Sequence, residues 1–276
     1  MNIRDIILPR EKTKNLRWFD VIIITLILFG KFIVISTQMY LATLKPAVEA
    51  AATAVTEAAT EVAETTTDVA TEGAAYSSNL KYQATMLAIV FIYLLIRKFD
   101  FTQIKFKLHA LIRVYFCRSK FKLSWKIIPQ YLVLFIIMGL SADILYLVFD
   151  NGYNYFSAES LSHINLLSVF PKFAALSKVA IIYALLNAFY EEFFFLGLLG
   201  TVQEKYKWGT LVFSTIIRAS FHTYQGMASA LIIGIFFGLL YYVSYHKFIK
   251  NLLPIVLVHS MADMFGSGLI YLISQW

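Results

Sequence analysis

Long apolar runs separated by short polar segments dominate the pattern of this chain. The first run covers residues 19–43, and a helix needs only about 20 apolar residues, rising 1.5 Å each, to cross a bilayer. With the later runs, the pattern predicts about seven spans, in a range of six to eight: 19–43, 82–96, 127–149, 179–200, 209–223, 225–245 and 252–274. We therefore expect an all-α fold, a polytopic bundle of transmembrane helices.

Composition agrees with a membrane location. The chain is 59% apolar and 15% charged, whereas soluble domains are about half apolar. A water-soluble fold of this size could not hide so many apolar side chains. No small-residue cleavage site follows a short apolar core, so we expect the first helix to be retained rather than removed as a signal peptide. Cys117 is the single cysteine, which excludes a disulfide within the chain.

The net charge of +7 is distributed as in a membrane protein. With residues 1–18 placed in the cytosol, the inner segments carry 18 of the 24 Lys and Arg residues and the outer segments carry four. This is the positive-inside bias, so membrane lipid explains the charge and nucleic acid is not an expected partner. Usage rich in Ile, Lys, Phe and Tyr suggests a bacterial plasma membrane.

Two segments interrupt the spans. Residues 46–78 are rich in Ala, Thr and Glu, with valines every seven residues from Val48 to Val69. This external segment is either a helix with a heptad period or a solvated acidic loop, and we favour the helix. Residues 98–126 are basic and cytosolic, and predict either an amphipathic helix on anionic lipid or an ordinary positive-inside loop.

Ionisable side chains interrupt the apolar runs of the second half: Glu191, Glu192, Arg218, His222, His259 and Asp263. Such groups are costly in a bilayer unless they are paired or functional. The Arg218–His222 and His259–Asp263 pairs are spaced i, i+4, so each pair shares one helix face. The groups lie about 10–20 Å from the cytosolic edge at 1.5 Å per residue, so three helices can bring them together.

This set of residue types suits hydrolysis. Two adjacent buried carboxylates cannot both ionise cheaply, which makes one of them a candidate general base. A histidine can share the proton of an attacking water, and a second histidine can donate to the oxyanion. Glu191, His222 and His259 would also suit zinc with water as the fourth ligand. A buried charge network that only locks helices together remains the alternative.

The order Glu-Glu, His, His-x-x-x-Asp on successive helices resembles the CPBP family, the CAAX-protease and bacteriocin-processing membrane endopeptidases also called Abi proteins. The family motif EExxxR reads EEFFFL at 191–196, FxxxH aligns with RASFH at 218–222, and HxxxN/D reads HSMAD at 259–263. The resemblance covers about residues 176–266 and implies that residues 176–276 form the catalytic helix bundle. Residues 19–175 resemble the family only in being membranous, and we expect them to form an N-terminal transmembrane region.

The resemblance also implies roles. Glu191 or Glu192 with His222 would activate water, and His259 with Asp263 would stabilise the oxyanion. Two positions depart from the motifs, because leucine replaces the motif arginine at 196 and Arg218 replaces the motif phenylalanine. We interpret them as one compensated exchange that keeps a cation, Arg218, beside the glutamates as a supporting residue.

The predicted function is therefore intramembrane cleavage of a peptide or membrane-protein substrate, in peptide maturation, signalling or bacteriocin-related self-immunity. No cofactor is required by this prediction, although zinc is possible. The alternative is a non-catalytic scaffold or immunity protein of the same fold, which the lost motif arginine favours. A transporter with Glu191, Glu192 and His222 as a proton relay ranks last, since no internal repeat is visible.

Overall fold

The computed structural model describes residues 15–53, 69–104, 127–149 and 157–274. These residues are helical apart from turns, short extended connections and isolated β-bridge positions, among them the bridge between Ile164 and Ser274. The prediction of an all-helical polytopic bundle is confirmed. Three parts of the chain lie outside the described residues: residues 1–14, most of the basic segment with Cys117, and the centre of the acidic segment. The structure therefore does not test whether the acidic segment is one helix or whether the basic segment is amphipathic, and both stay predictions.

The described part of the chain forms these α-helices: α1 Trp18–Thr53, α2 Val69–Ile96, α3 Ile127–Phe149, α4 Ala158–Ser162, α5 Val169–Ala175, α6 Lys178–Glu192, α7 Lys207–Ser220, α8 Met227–Leu231, α9 Gly238–Val243, α10 Leu252–Phe265 and α11 Leu269–Ile273. Three stretches of wider π-helical winding extend them. Phe193–Leu198 continues α6, Ile232–Phe237 joins α8 to α9, and Ser244–Ile249 follows α9.

Helices long and apolar enough to cross a membrane occur at five places in the described ranges: Trp18–Leu44, Ala75–Ile96, Ile128–Phe149, Lys178–Thr201 and Met227–Ile249. The predicted spans 209–223 and 252–274 correspond instead to α7 and α10, which have 14 residues each. Helix α10 ends where Gly266 adopts a φ of 82°, a left-handed conformation that stops the helix. Among the described residues, five helices are therefore long enough to be full-length spans, fewer than the predicted seven.

Helix α6 is central, with α2 and α10 packed along it. Phe29 of α1 lies in a cluster of aromatic rings that α6 and its extension provide. Its ring centroid is 5.5 Å from that of Tyr190 and 5.1 Å from that of Phe194. Phe221, which follows α7, stacks on the same ring at 4.9 Å. Aromatic contacts of this kind stabilise beyond their buried area. They fix α1, α6 and α7 relative to one another around the charged residues.

Small residues let α7 approach the Ile232–Phe237 segment closely. A Cβ atom built on Gly234 would lie 2.7 Å from the Cβ of Ala219, and one on Gly238 would lie 3.7 Å from Arg218 Cδ. These small residues therefore allow close helix packing, as in other membrane bundles. Gly226, which precedes α8 with a φ of 91°, takes no part in it, because a Cβ built on Gly226 would meet nothing within 4 Å.

Candidate active site

Glu192 and Arg218 form a buried ion pair between α6 and α7. Arg218 Nη1 donates to Glu192 Oε1 at 2.8 Å and Nη2 donates to Oε2 at 3.1 Å. The side chains are 0% and 1% exposed. The arginine also lies over Phe195, with its Cζ 4.2 Å from the ring centroid. The arginine predicted to stand near the glutamates does so, in the two-pronged geometry typical of strong Arg–carboxylate pairs.

His259 of α10 joins this pair. Its Nδ1 lies 2.8 Å from Glu192 Oε1, and because a carboxylate bound to arginine only accepts, Nδ1 donates this hydrogen bond. Its other nitrogen, Nε2, lies 3.5 Å from Asp263 Oδ1 and 3.9 Å from Glu191 Oε2. His259 therefore lies between carboxylates of α6 and α10.

Glu191 is buried as deeply as its neighbour but is bound less completely. Asn187 Nδ2 donates to its Oε1 at 3.2 Å. Its Oε2 lies 3.5 Å from Arg218 Nη1 and makes no hydrogen bond with any described group. Of the two carboxylates, Glu191 therefore has the acceptor atom that is still available.

His222 stands just beyond α7. Its Nδ1 lies 2.7 Å from the carbonyl oxygen of Arg218, and since a carbonyl only accepts, Nδ1 carries the hydrogen. This leaves Nε2 with a free lone pair in the neutral ring. The ring packs on Phe221, with centroids 4.3 Å apart, and faces Tyr224. His222 is thus tied to the ion pair through the backbone of Arg218.

A cavity of about 670 Å³ lies in front of these groups. Asn187, Arg218, His222, His259 and Asp263 line one part of its wall. Tyrosines from several helices make up much of the remaining lining, together with a few apolar residues and the turn that follows α10. The two glutamates lie behind this wall, 3% and 0% exposed. Five of the six predicted residues thus contact one another, and the sixth, His222, lines the same cavity.

The donor set does not suit a metal ion well. Oxygen and nitrogen atoms of Glu191, Glu192 and His259 lie within 4.8 Å of one another, which is close enough to share an ion. However, the guanidinium of Arg218 already donates a hydrogen bond to each carboxylate oxygen of Glu192, where a metal ion would have to bind. His222 is outside this group, so the zinc set Glu191, His222 and His259 does not match the grouping found among the described residues.

Sequence reasoning missed three polar residues near the site. Asn187 lies one turn before Glu191 on the same face of α6, a spacing that could have revealed it. Gln83 of α2 binds Asn187, but nothing in the sequence pairs these two positions. Asp143 of α3 accepts a hydrogen bond from the backbone nitrogen of Ile270 at 2.7 Å and so holds the start of α11 beside the cavity.

Comparison with protein families agrees with this geometry. Residues 174–265 match the family model of the type II CAAX prenyl endopeptidases, Rce1-like. The matched segment, a third of the chain, contains all six charged or histidine residues of the site. It confirms the resemblance expected from the motifs, and this family is one of intramembrane proteases. No curated protein and no solved structure matches the chain.

Proposed function

We propose that this protein is an intramembrane endopeptidase in which Glu191 and His222 activate a water molecule. The observation that carries this proposal is the difference between the two glutamates. Both oxygens of Glu192 are held by Arg218, and one of them also by His259. Glu191 Oε2 is buried and has no hydrogen bond among the described groups, as expected for a general base that awaits water.

The proposed reaction is peptide hydrolysis. The water oxygen attacks the peptide carbonyl carbon while Glu191 takes a water proton, and the free Nε2 of His222 accepts a hydrogen bond from the same water. His259 acts as an imidazolium: its Nδ1 donates to Glu192, and its Nε2 donates to the oxyanion. When the carbon–nitrogen bond breaks, the proton on Glu191 passes to the leaving amine. The products are a carboxylic acid, which then ionises, and an amine.

Arg218 is the proposed supporting residue. Its charge compensates the buried Glu192, and its backbone carbonyl fixes the ring orientation of His222. Leu196, where the family has arginine, is buried at 2% exposure. Arg218 supplies a cation to the glutamates from the neighbouring helix, which favours a compensated exchange over a degenerate site.

The substrate class follows from the location of the cavity. A site buried within a helix bundle of this kind admits an unfolded peptide or the flexible end of a membrane protein. We propose such substrates, in peptide maturation, signalling or self-immunity, and membrane lipid as the surrounding partner. Cleavage of an unbiased peptide library will identify the side chains that the site accepts next to the cleaved bond.

The test is cleavage of a peptide library by the full-length protein purified in detergent, with products identified by mass spectrometry. We expect Glu191→Gln to lose nearly all cleavage. The matched control is Ser260→Ala, since Ser260 is buried beside His259 but its hydroxyl donates to the Leu257 carbonyl of its own helix. Equal cleavage by wild type and Glu191→Gln would contradict the proposed base.

A further inference from the structure

We infer that Asn187 and Gln83 are a positioning pair that orients the carboxylates of the proposed active site. This inference rests on the proposed function. Neither residue belongs to the three motifs, and Gln83 lies outside the matched segment, on α2. Together they connect α2, α6 and α10.

The amide nitrogen of Asn187 bridges two carboxylates. It donates to Glu191 Oε1 at 3.2 Å and to Asp263 Oδ2 at 2.9 Å, so both of its hydrogens are used. The second oxygen of each carboxylate then points toward His259. Glu191 Oε2 and Asp263 Oδ1 are the atoms that lie 3.9 and 3.5 Å from His259 Nε2.

The orientation of this amide is held from two directions. The two carboxylates can only accept when ionised, so they require the nitrogen of Asn187 on their side. The oxygen of Asn187 then faces α2, where Gln83 Nε2 donates to it at 2.6 Å. Gln83 is 2% exposed, so this hydrogen bond is shielded from water and anchors the oxygen in place.

Substitutions of Gln83 should therefore act through the orientation of Asn187. An ionised glutamate at this position can only accept a hydrogen bond, so it favours a flipped Asn187 with its nitrogen toward α2. The oxygen of Asn187 would then face Glu191 and Asp263, and the two carboxylates would lose their shared donor. A methionine at the same position removes the anchor without favouring the flip. In metal sites, residues that orient the ligands by hydrogen bonds typically contribute about 10–100-fold to activity, and we expect a similar magnitude for carboxylates oriented in the same way.

The experiment measures kcat and KM of full-length Gln83→Met, Gln83→Glu and Asn187→Asp in detergent, on a peptide that the wild type cleaves. We expect kcat to fall about 3–10-fold for Gln83→Met and about 100-fold for the other two, with KM changed less than about twofold. Thr25→Val is the control, since Thr25 is a buried polar residue of α1 whose hydroxyl donates to the Val21 carbonyl of its own helix. Its kcat should equal that of wild type.

Folding is monitored by the melting temperature of each variant, and rates are compared per folded protein. If Gln83→Met is as slow as Gln83→Glu, or if the variants change KM and not kcat, the positioning pair is wrong. Wild-type kinetics in all three variants would also overturn it, while leaving the proposed function intact. A wild type that cleaves no peptide would overturn the proposed function and the pair together.

Discussion

Arg218 binds Glu192 across two helices through hydrogen bonds of 2.8 and 3.1 Å, in a region where both side chains are at most 1% exposed. Because of this pair, the two adjacent glutamates have different environments. Glu192 is neutralised and held, while Glu191 keeps an oxygen atom without a hydrogen bond among the described groups. One ion pair therefore fixes the helices and leaves a candidate base beside them.

Removing one member of this pair should destabilise the fold more than removing both. Arg218→Leu leaves Glu192 buried without its arginine and with only the hydrogen bond from His259, which costs about 3–5 kcal/mol. Arg218→Leu combined with Glu192→Gln removes the charge as well, so it should melt at a higher temperature than Arg218→Leu alone. Thermal unfolding in detergent measures both. Additive losses in the double variant would show that the two side chains do not interact.

The close contact of α7 with the Ile232–Phe237 segment predicts a sensitive glycine. Gly234→Ala places a Cβ 2.7 Å from Ala219 Cβ and 2.8 Å from its backbone nitrogen, so the helices must move apart. We expect a loss of about 1–3 kcal/mol, as for other overpacked sites. Gly30→Ala of α1 is the control, because its Cβ would meet nothing within 4 Å. Equal melting temperatures for the two variants would contradict the packing described.

Cleavage should not depend on a divalent metal ion. Arg218 binds both carboxylate oxygens of Glu192. A metal ion bound to Glu192 would therefore lie next to the guanidinium, and the two positive charges would repel each other. We expect the purified protein to keep its rate after dialysis against a chelator. A loss of activity that zinc restores would show that the cluster of Glu191, Glu192 and His259 holds a metal during the reaction.

The pattern of basic residues predicts the orientation of the chain. Residues 1–18 and 98–126 should lie in the cytosol, and residues 46–78 should lie outside. In intact cells, a membrane-impermeant thiol reagent should label position 60 of a variant that carries both Thr60→Cys and Cys117→Ser. In the wild type, Cys117 should be labelled only after the cells are opened. Labelling of Cys117 in intact cells would reverse the topology.

Much of the site was predictable because its residues follow helical spacing. The i, i+4 pair His259–Asp263 shares one face of α10, and burial in apolar runs singles out all of these residues. For Arg218–His222 the predicted shared face was wrong, because α7 ends at Ser220 and His222 binds the Arg218 carbonyl from the turn that follows. Periodicity could not decide between Glu191 and Glu192. That choice depends on where α7 and α10 place Arg218 and His259.

Other features required the three-dimensional packing. The hydrogen bond between Gln83 and Asn187 joins residues on α2 and α6 that no local pattern relates. The predicted span at 252–274 failed because Gly266 ends α10 and a separate short helix follows. The Gly-Ser-Gly sequence at 266–268 is a turn signal, but the apolar residues on both sides of it outweighed that signal in the predicted span.

The central claim is that Glu191 and His222 act together on one water molecule. The most direct measurement is the cleavage rate, per folded protein in detergent, of Glu191→Ala, His222→Ala and the double variant. Each single variant should lose at least about 100-fold, because general bases typically contribute about 10²–10⁴-fold. The double variant should be little slower than either, since groups that act in one step are not additive. Wild-type rates in well-folded Glu191→Ala and His222→Ala would contradict the account and favour a non-catalytic scaffold.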